Sequence, residues 1–419
     1  MNIPWNDIIN REGLSRLPDL VVVRPSDAPH QARGKRLLQF FLVLMLAGLV
    51  AGATAMIKHG HVMGTTSEIS WGVLIATYVY LAVSSTGLCL VSSLGHVFGF
   101  KVFEPLARRA VFLAIVSLMM GFAVMATELE SPLKMARWIM VSPNPRAPIW
   151  WMGTFYGIYV VLIITELFFL FKEDHHKASM AGLGSVFAAI AAYSNLGAVF
   201  GSSHSRAFWY GPLLPIYFIV SALVSGAAIL ILMVTLTDFF TNDRELKPEH
   251  APMVDGLRKL LALFLAVLVL LSVWRLLLGV AGEHAGLYEA TMAALTGPLF
   301  VSYWLFEVLL GMVVPFVLLL GPWRKSWKST ALAAFLMMVS FFVMRTNFVY
   351  QGQMVSLKPV VGQMGERYSY MPPYKGNVEG FLSYTPSLVE VLIVAGAISA
   401  AVFFFVVGLR ALRLSPKEA

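Results

Sequence analysis

Residues 212–240 read PLLPIYFIVSALVSGAAILILMVTLTDFF and carry a single charge, Asp238, close to their end. As a helix rising about 1.5 Å per residue, a stretch of this length outruns the roughly 30 Å hydrocarbon layer of a bilayer. A buried soluble helix has no use for such an uninterrupted apolar length. The stretch predicts a membrane-spanning helix.

Working outward, nine further segments have the same character. The ten expected spans lie near 37–57, 70–98, 107–127, 149–171, 179–200, 212–240, 256–281, 296–320, 327–350 and 388–409. Across 419 residues the chain is 58% hydrophobic and 13% charged, with a mean hydropathy of +0.74. Soluble domains carry about a quarter charged residues. The expected fold is an all-α integral membrane protein. A tail at 1–36 leads into a polytopic membrane domain at 37–409, with helix bundles near 70–200 and 212–350, and a second tail follows at 410–419. The polar, proline-broken N-terminal tail lacks the apolar core of a signal peptide.

Basic residues fix the direction of the spans. The tails and the loops on their side hold 21 Lys and Arg, against 8 in the opposite loops. Because positively charged loops stay on the cytoplasmic side, both termini are expected there, in a bacterial-type inner membrane. The +8 net charge is thereby explained without nucleic acid. The opposite loops at 128–148 and 351–387 are long and rich in Pro, Gly, Tyr and Trp, the kind of loop that meets partners. Most tryptophans there, including Trp71, Trp150, Trp151 and Trp209, read as interfacial anchors.

Ionisable residues within spans are costly, and each marks a candidate site. Glu166, Arg275, Glu307 and Arg345 form such a set, a candidate proton path. Structural ion pairing of Glu307 with Arg275 or Arg345 is the plainer alternative, and Glu166 is placed where it could also snorkel to the interface. A second cluster gathers at the outer ends of spans 2 to 5, with Glu68, Trp71, Glu128, Tyr193, Asn195, His204 and Arg206. Hydroxyl, carboxylate, imidazole and aromatic surface together suit a flat lipophilic ring bearing polar oxygens, such as a quinone head group. Ordinary outer-loop chemistry would also account for them.

Other chemistries find little support. No histidine pair shares a depth inside the membrane, so no haem is expected. Cys89 stands alone, short of the four thiolates an iron–sulfur cluster generally takes. No spaced ligand set suggests a metal, and no phosphate-binding loop suggests ATP-driven chemistry.

Several stretches resemble the NrfD/PsrC superfamily, the quinone-reactive membrane subunits of polysulfide reductase and related complexes. They are Ser70-Trp71-Gly72, Tyr193-Ser194-Asn195, the run RAFWYGPLLPIYFIVSA from Arg206 to Ala222, Trp304 to Glu307, Arg345-Thr346-Asn347, and Tyr384 to Glu390. Ten spans are similar to the branch found with periplasmic-type hydrogenases, the sulfite-reductase-linked complex and alternative complex III. The resemblance implies two four-helix bundles plus two extra helices. It also implies a menaquinone or ubiquinone pocket near the outer face, with Tyr193 and Glu128 at positions where the family places pocket residues. The basic residue usual soon after that acid has no counterpart in Glu128–Pro132. The expected function is electron exchange between the quinone pool and an extracytoplasmic ferredoxin-like iron–sulfur subunit, itself joined to a larger catalytic or cytochrome subunit. The chain itself would hold no redox centre and no catalytic residue. A secondary transporter, whose inverted repeats and broken helices are not evident here, is the rival, and a passive anchor the third reading.

Overall fold

A computed structural model describes residues 8–24, 29–58, 62–129, 131–242, 244–281, 286–355 and 381–414. Among them ten helices are long and apolar enough to cross a membrane. They are α1 (Pro29–Lys58), α2 (Val73–His96), α3 (Ala107–Glu128), α4 (Pro148–Phe171), α5 (His175–Gly201), α6 (Leu213–Thr241), α7 (Ala251–Ala281), α8 (Ser302–Leu320), α9 (Trp327–Gln351) and α10 (Leu388–Ala411). Most coincide with an expected span to within a few residues. α1 starts earlier than expected, at Pro29 and not near 37, and α8, expected from 296, starts at Ser302, where Gly297 and Pro298 interrupt the backbone. Two short helices, Pro132–Val141 and Leu287–Leu295, were not expected from hydropathy, which does not register segments of ten residues or fewer.

Adjacent helices pair by sequence. α2 packs on α3 and α4 on α5, with α2 against α5 and α3 against α4, which closes a ring of four. α6 packs on α7 and α9, and α9 on α8. The two groups meet where α2 and α5 press on α6 and α2 on α9, while α1 and α10 pair with each other and lean on α3.

α2 is the most enclosed helix, and its composition explains this. It buries Ala76, Ala82, Ser84, Ser85, Thr86, Gly87, Ser92, Ser93 and Gly95, and small side chains let helix backbones approach closely in lipid, where packing replaces the hydrophobic drive. The closest approach is between Gly87 and Gly226 of α6. A Cβ on either would collide with backbone atoms of the other helix.

The described N-terminal segment and the end of α10 lie on one face. Asn10 N donates to Ala411 O at 2.9 Å and Arg413 N to Ile8 O at 3.1 Å, around a bridge between Ile9 and Leu412. This is called the terminal face below, and the opposite one the far face.

Candidate functional site

The polar interior concentrates at the seam between the two helix groups. Arg345 of α9 is 1% exposed. Its Nη2 donates to Ser221 Oγ of α6 and, at 3.5 Å, to the Tyr193 hydroxyl of α5. Its guanidinium stands 4.7 Å from the Phe218 ring centroid, a cation–π contact that strengthens in a desolvated site. Nη1 has no hydrogen-bond partner among the described residues. Three helices thus deliver one buried cation, two hydroxyls and an aromatic wall, and Phe348 extends that wall at 5.3 Å from Phe218.

Beside this node lies a second one. Glu307 sits on α8 where Ser302–Val313 is wound as a π-helix, a geometry frequent at functional sites. Asn347 Nδ2 donates to Glu307 Oε1 at 2.6 Å, and Ser302 Oγ donates to Asn347 Oδ1 at 3.1 Å. Arg275 of α7 is caged by aromatic rings, 4.2 Å from Phe208, 5.0 Å from Phe348 and 5.7 Å from Tyr217. Among the described residues no ion pair joins Glu307 to Arg275 or Arg345; the amide of Asn347 holds the carboxylate instead, and ring faces hold Arg275.

The far-face cluster separates into parts. Trp71 stacks on Trp209 at 5.2 Å and meets Phe200 edge-on. Gln353 clasps the Trp71 backbone, accepting from its N at 3.0 Å and donating to its O at 2.8 Å. Arg206 donates to the carbonyls of Gln353, Val355 and Glu68, and burial lowers its pKa from the ordinary value while the Glu68 charge opposes that shift. Trp71, Arg206 and the Glu68 backbone therefore form a roof tied to the end of α9. Trp209 belongs to it too: it is buried, donating Nε1–H to Phe348 O at 2.9 Å, and is no interfacial anchor. His204 is exposed on the surface, its ring 4.6 Å from Tyr210. His59, His61 and His284 lie outside the described residues.

Glu128 closes α3 on the side of α10, with one carboxylate oxygen buried and without a hydrogen-bond partner among the described residues. Nearby, Glu390 accepts from Gly64 N, Ser387 N and the Tyr384 hydroxyl, all within 2.8 Å. Burial pushes the Tyr384 phenol up, which keeps it a donor. Towards the terminal face, Glu166 of α4 is fully buried; His96 Nε2 lies 2.8 Å from its Oε1 and Ser185 Oγ donates to its Oε2 at 2.5 Å. Glu166 is held inside by partners and does not reach for the interface. Among the described residues no group of three His, Cys, Asp or Glu is placed to hold a metal.

The sequence points to Tyr193 and Arg345 separately and not to their junction; it gives Ser221 and Asn347 no site role, leaves Gln353 unmarked and has Trp209 as an anchor. Depth offered the one available signal, since Tyr193 and Arg345 sit at similar distances from the far-face ends of α5 and α9.

These features define a polytopic helical membrane protein whose buried cations, hydroxyls and aromatic rings converge at the junction of two helix groups. The family model for polysulphide reductase, NrfD, matches residues 61–356, and the chain belongs to that family. It is similar to the Hdr-like menaquinol oxidoreductase integral membrane subunit of Archaeoglobus fulgidus, at 29% identity covering 92% of this chain and 96% of that one. A selenate reductase subunit of Mesobacillus selenatarsenatis is 27% identical over 67% of this chain and 74% of its own length. A protein of Halobacterium salinarum named as a dimethyl sulfoxide reductase membrane subunit is 28% identical over 94% and 95% respectively.

Proposed function

We propose that this chain is the quinone-reactive membrane subunit of a multi-subunit respiratory oxidoreductase, and that the junction of Tyr193, Ser221 and Arg345 is where a quinol ring is held. The observation that carries this is the buried guanidinium with one nitrogen lacking a partner, beside two hydroxyls and the Phe218 and Phe348 rings. Relatives named as a menaquinol oxidoreductase subunit and as reductase subunits support the same reading.

A quinone ring needs flat apolar walls and donors for its oxygens, and the residues present fit both needs. Quinol supplies two electrons and two protons. In this reading Arg345 donates to one ring oxygen, Tyr193 orients the same oxygen, and the Trp71–Trp209–Arg206 roof keeps water out. His204, on the surface, and Glu128, on the α10 side, have no part in holding the ring.

The excess of basic residues on the terminal face favours a cytoplasmic location for it, in a bacterial-type cytoplasmic membrane. Electrons then pass across the far face to an extracytoplasmic ferredoxin-like iron–sulfur subunit, and from there to a larger catalytic or cytochrome subunit. The helix Pro132–Val141 presents Leu133, Trp138, Met140 and Val141 outward there, next to Lys134 and Arg137, which suits a partner with an acidic, partly apolar face. Glu307 and Arg275, at the edge of the pocket, are suited to proton exchange.

The test uses the purified complex. Tyr193→Phe should lower quinol-linked turnover at least tenfold while an artificial donor still drives the soluble subunits. Full quinol turnover in that variant would move the pocket elsewhere; a wild-type complex with no quinol activity would leave a passive anchor, and solute uptake by the chain alone a transporter.

A further inference from the structure

The wall of the second helix group is not closed all the way round. α7 packs on α6, α6 on α9 and α9 on α8, but α7 and α8 pack on each other along Val314–Leu320 and hardly at all along the π-wound Ser302–Val313. Both ends of this gap are framed. On the terminal side, Arg258 of α7 donates Nη1–H to Leu319 O of α8 at 2.7 Å. On the far side, the short helix Leu287–Leu295 packs on α7, α8 and α9, and Gln351 of α9 donates to its Ala290 O at 2.6 Å. It lies so close to α7 that a Cβ on Gly279 would collide with Thr291. Within Ser302–Val313 only Gly311 is buried, and Leu270 and Trp274 of α7 and Leu305 and Leu309 of α8 are exposed. What remains is a window in the side of the bundle, floored by α9.

Polar atoms stand behind it. Arg275 Nη2 and Ser272 Oγ, three residues apart and so on one face of α7, are buried without a hydrogen-bond partner among the described residues. They lie six and nine residues inside the far end of α7, about 9 and 14 Å along the helix. Glu307 of α8 is bonded to Asn347 of α9, and the ring of the next residue, Phe348, lies 5.0 Å from the Arg275 guanidinium. Phe348 also walls the Tyr193–Arg345 pocket, 5.3 Å from Phe218. The window and the pocket share a wall.

A lipid acyl chain offers nothing to a guanidinium or a hydroxyl, and such groups left without partners inside a bilayer are costly. The visitor that suits them is apolar over most of its length and carries ring oxygens that accept hydrogen bonds. The Trp71–Trp209–Arg206 roof meanwhile closes the far face above the pocket, so entry from that side is shut. We propose that the window between α7 and α8 is the portal through which an isoprenoid quinol passes from the bilayer into the Tyr193 pocket. Ser272 and Arg275 donate to its ring oxygens on the way, and the tail of the seated molecule stays between the two helices. The proposal rests on the quinol reading above and adds the route of entry.

The experiment uses the whole complex in vesicles and has two arms. In the first, a menaquinone analogue with a diazirine on its tail is photolysed with the wild-type complex and the labelled peptides are mapped. Label should fall on α7 and on Ser302–Val313 of α8, and excess unlabelled menaquinone should suppress it. Label confined to other helices would overturn the portal; so would label in the window that menaquinone does not suppress, since that marks an ordinary lipid groove. In the second arm, Ser272→Trp plugs the window without touching the pocket. It should lower kcat/KM for long-tailed menaquinol at least fivefold while an artificial donor still drives the soluble subunits at the wild-type rate. Leu236→Trp, on the exposed face of α6 near the terminal side, should leave both activities unchanged. Full quinol turnover in Ser272→Trp, or an equal loss in Leu236→Trp, would overturn the portal while Tyr193→Phe still reports on the pocket. A wild-type complex with neither quinol turnover nor suppressible label would instead count against the quinol reading.

Discussion

Glu307 illustrates how a single intramembrane carboxylate is accommodated. Placing one at the centre of a span costs about 2.5–3.5 kcal/mol by insertion scales, and Glu307 lies in the far-face part of α8, a few residues from its start at Ser302, where the cost is smaller. The offset here is a 2.6 Å hydrogen bond from Asn347, whose own carbonyl is held by Ser302. Glu307→Gln keeps an acceptor for Asn347 and loses the charge, so the cost should be about 1 kcal/mol, within the normal assembled yield. If Glu307 exchanges protons at the pocket edge, that variant slows quinol turnover with little change in thermal stability. Normal turnover with reduced yield would make it a scaffold residue. Glu307→Ala removes the acceptor entirely and leaves a buried amide donor unpaired, at about 1–3 kcal/mol, so it should lower the yield more than the isosteric change does.

At the scale of elements, the α2–α6 crossing decides whether the two helix groups meet at the right distance. Gly87 and Gly226 face one another with no space for a side-chain atom. Gly226→Ala must push backbone against backbone, and overpacking of this kind costs about 1–3 kcal/mol. The expected outcome is a lower unfolding temperature and weaker quinol turnover together, because Phe218 and Ser221 lie on the same helix one to two turns from Gly226. A Gly226→Ala protein with wild-type stability and turnover would show that the crossing tolerates displacement. The π-wound part of α8 also belongs to this scale. Its extra residue per turn shifts the register of side chains, and Glu307 lies within it, so α-helical periodicity read from sequence misplaces that face.

For the molecule as a whole, the uneven distribution of Lys and Arg makes orientation testable. Reporter fusions after residues 142 and 206 should read as extracytoplasmic, and those after 174, 245 and 326 as cytoplasmic. Inversion at most of these sites would move the partner's docking face to the other side of the membrane. The bridge between the N-terminal segment and the end of α10 holds those two described segments to one face whichever way the chain inserts.

Hydropathy and charge by themselves determined the ten helices and their near-correct ends, because a bilayer penalises every unpaired backbone group and so leaves the chain almost no choice but long apolar helices. The residues that matter were legible as types for the same reason: Glu166, Arg275, Glu307 and Arg345 stand out wherever charge is costly. Which of them touch was decided only by the tertiary structure. Tyr193 and Arg345 are 152 positions apart, and helix rotation and crossing distance bring them together with Ser221. The same packing commits Arg206 to three backbone carbonyls and leaves His204 on the surface, although the two lie two residues apart. It also brings Cys89 beside Ser185 and Tyr159 beside Ser85, ordinary residues that no local pattern distinguishes, because a side chain's partner depends on which faces of different helices meet.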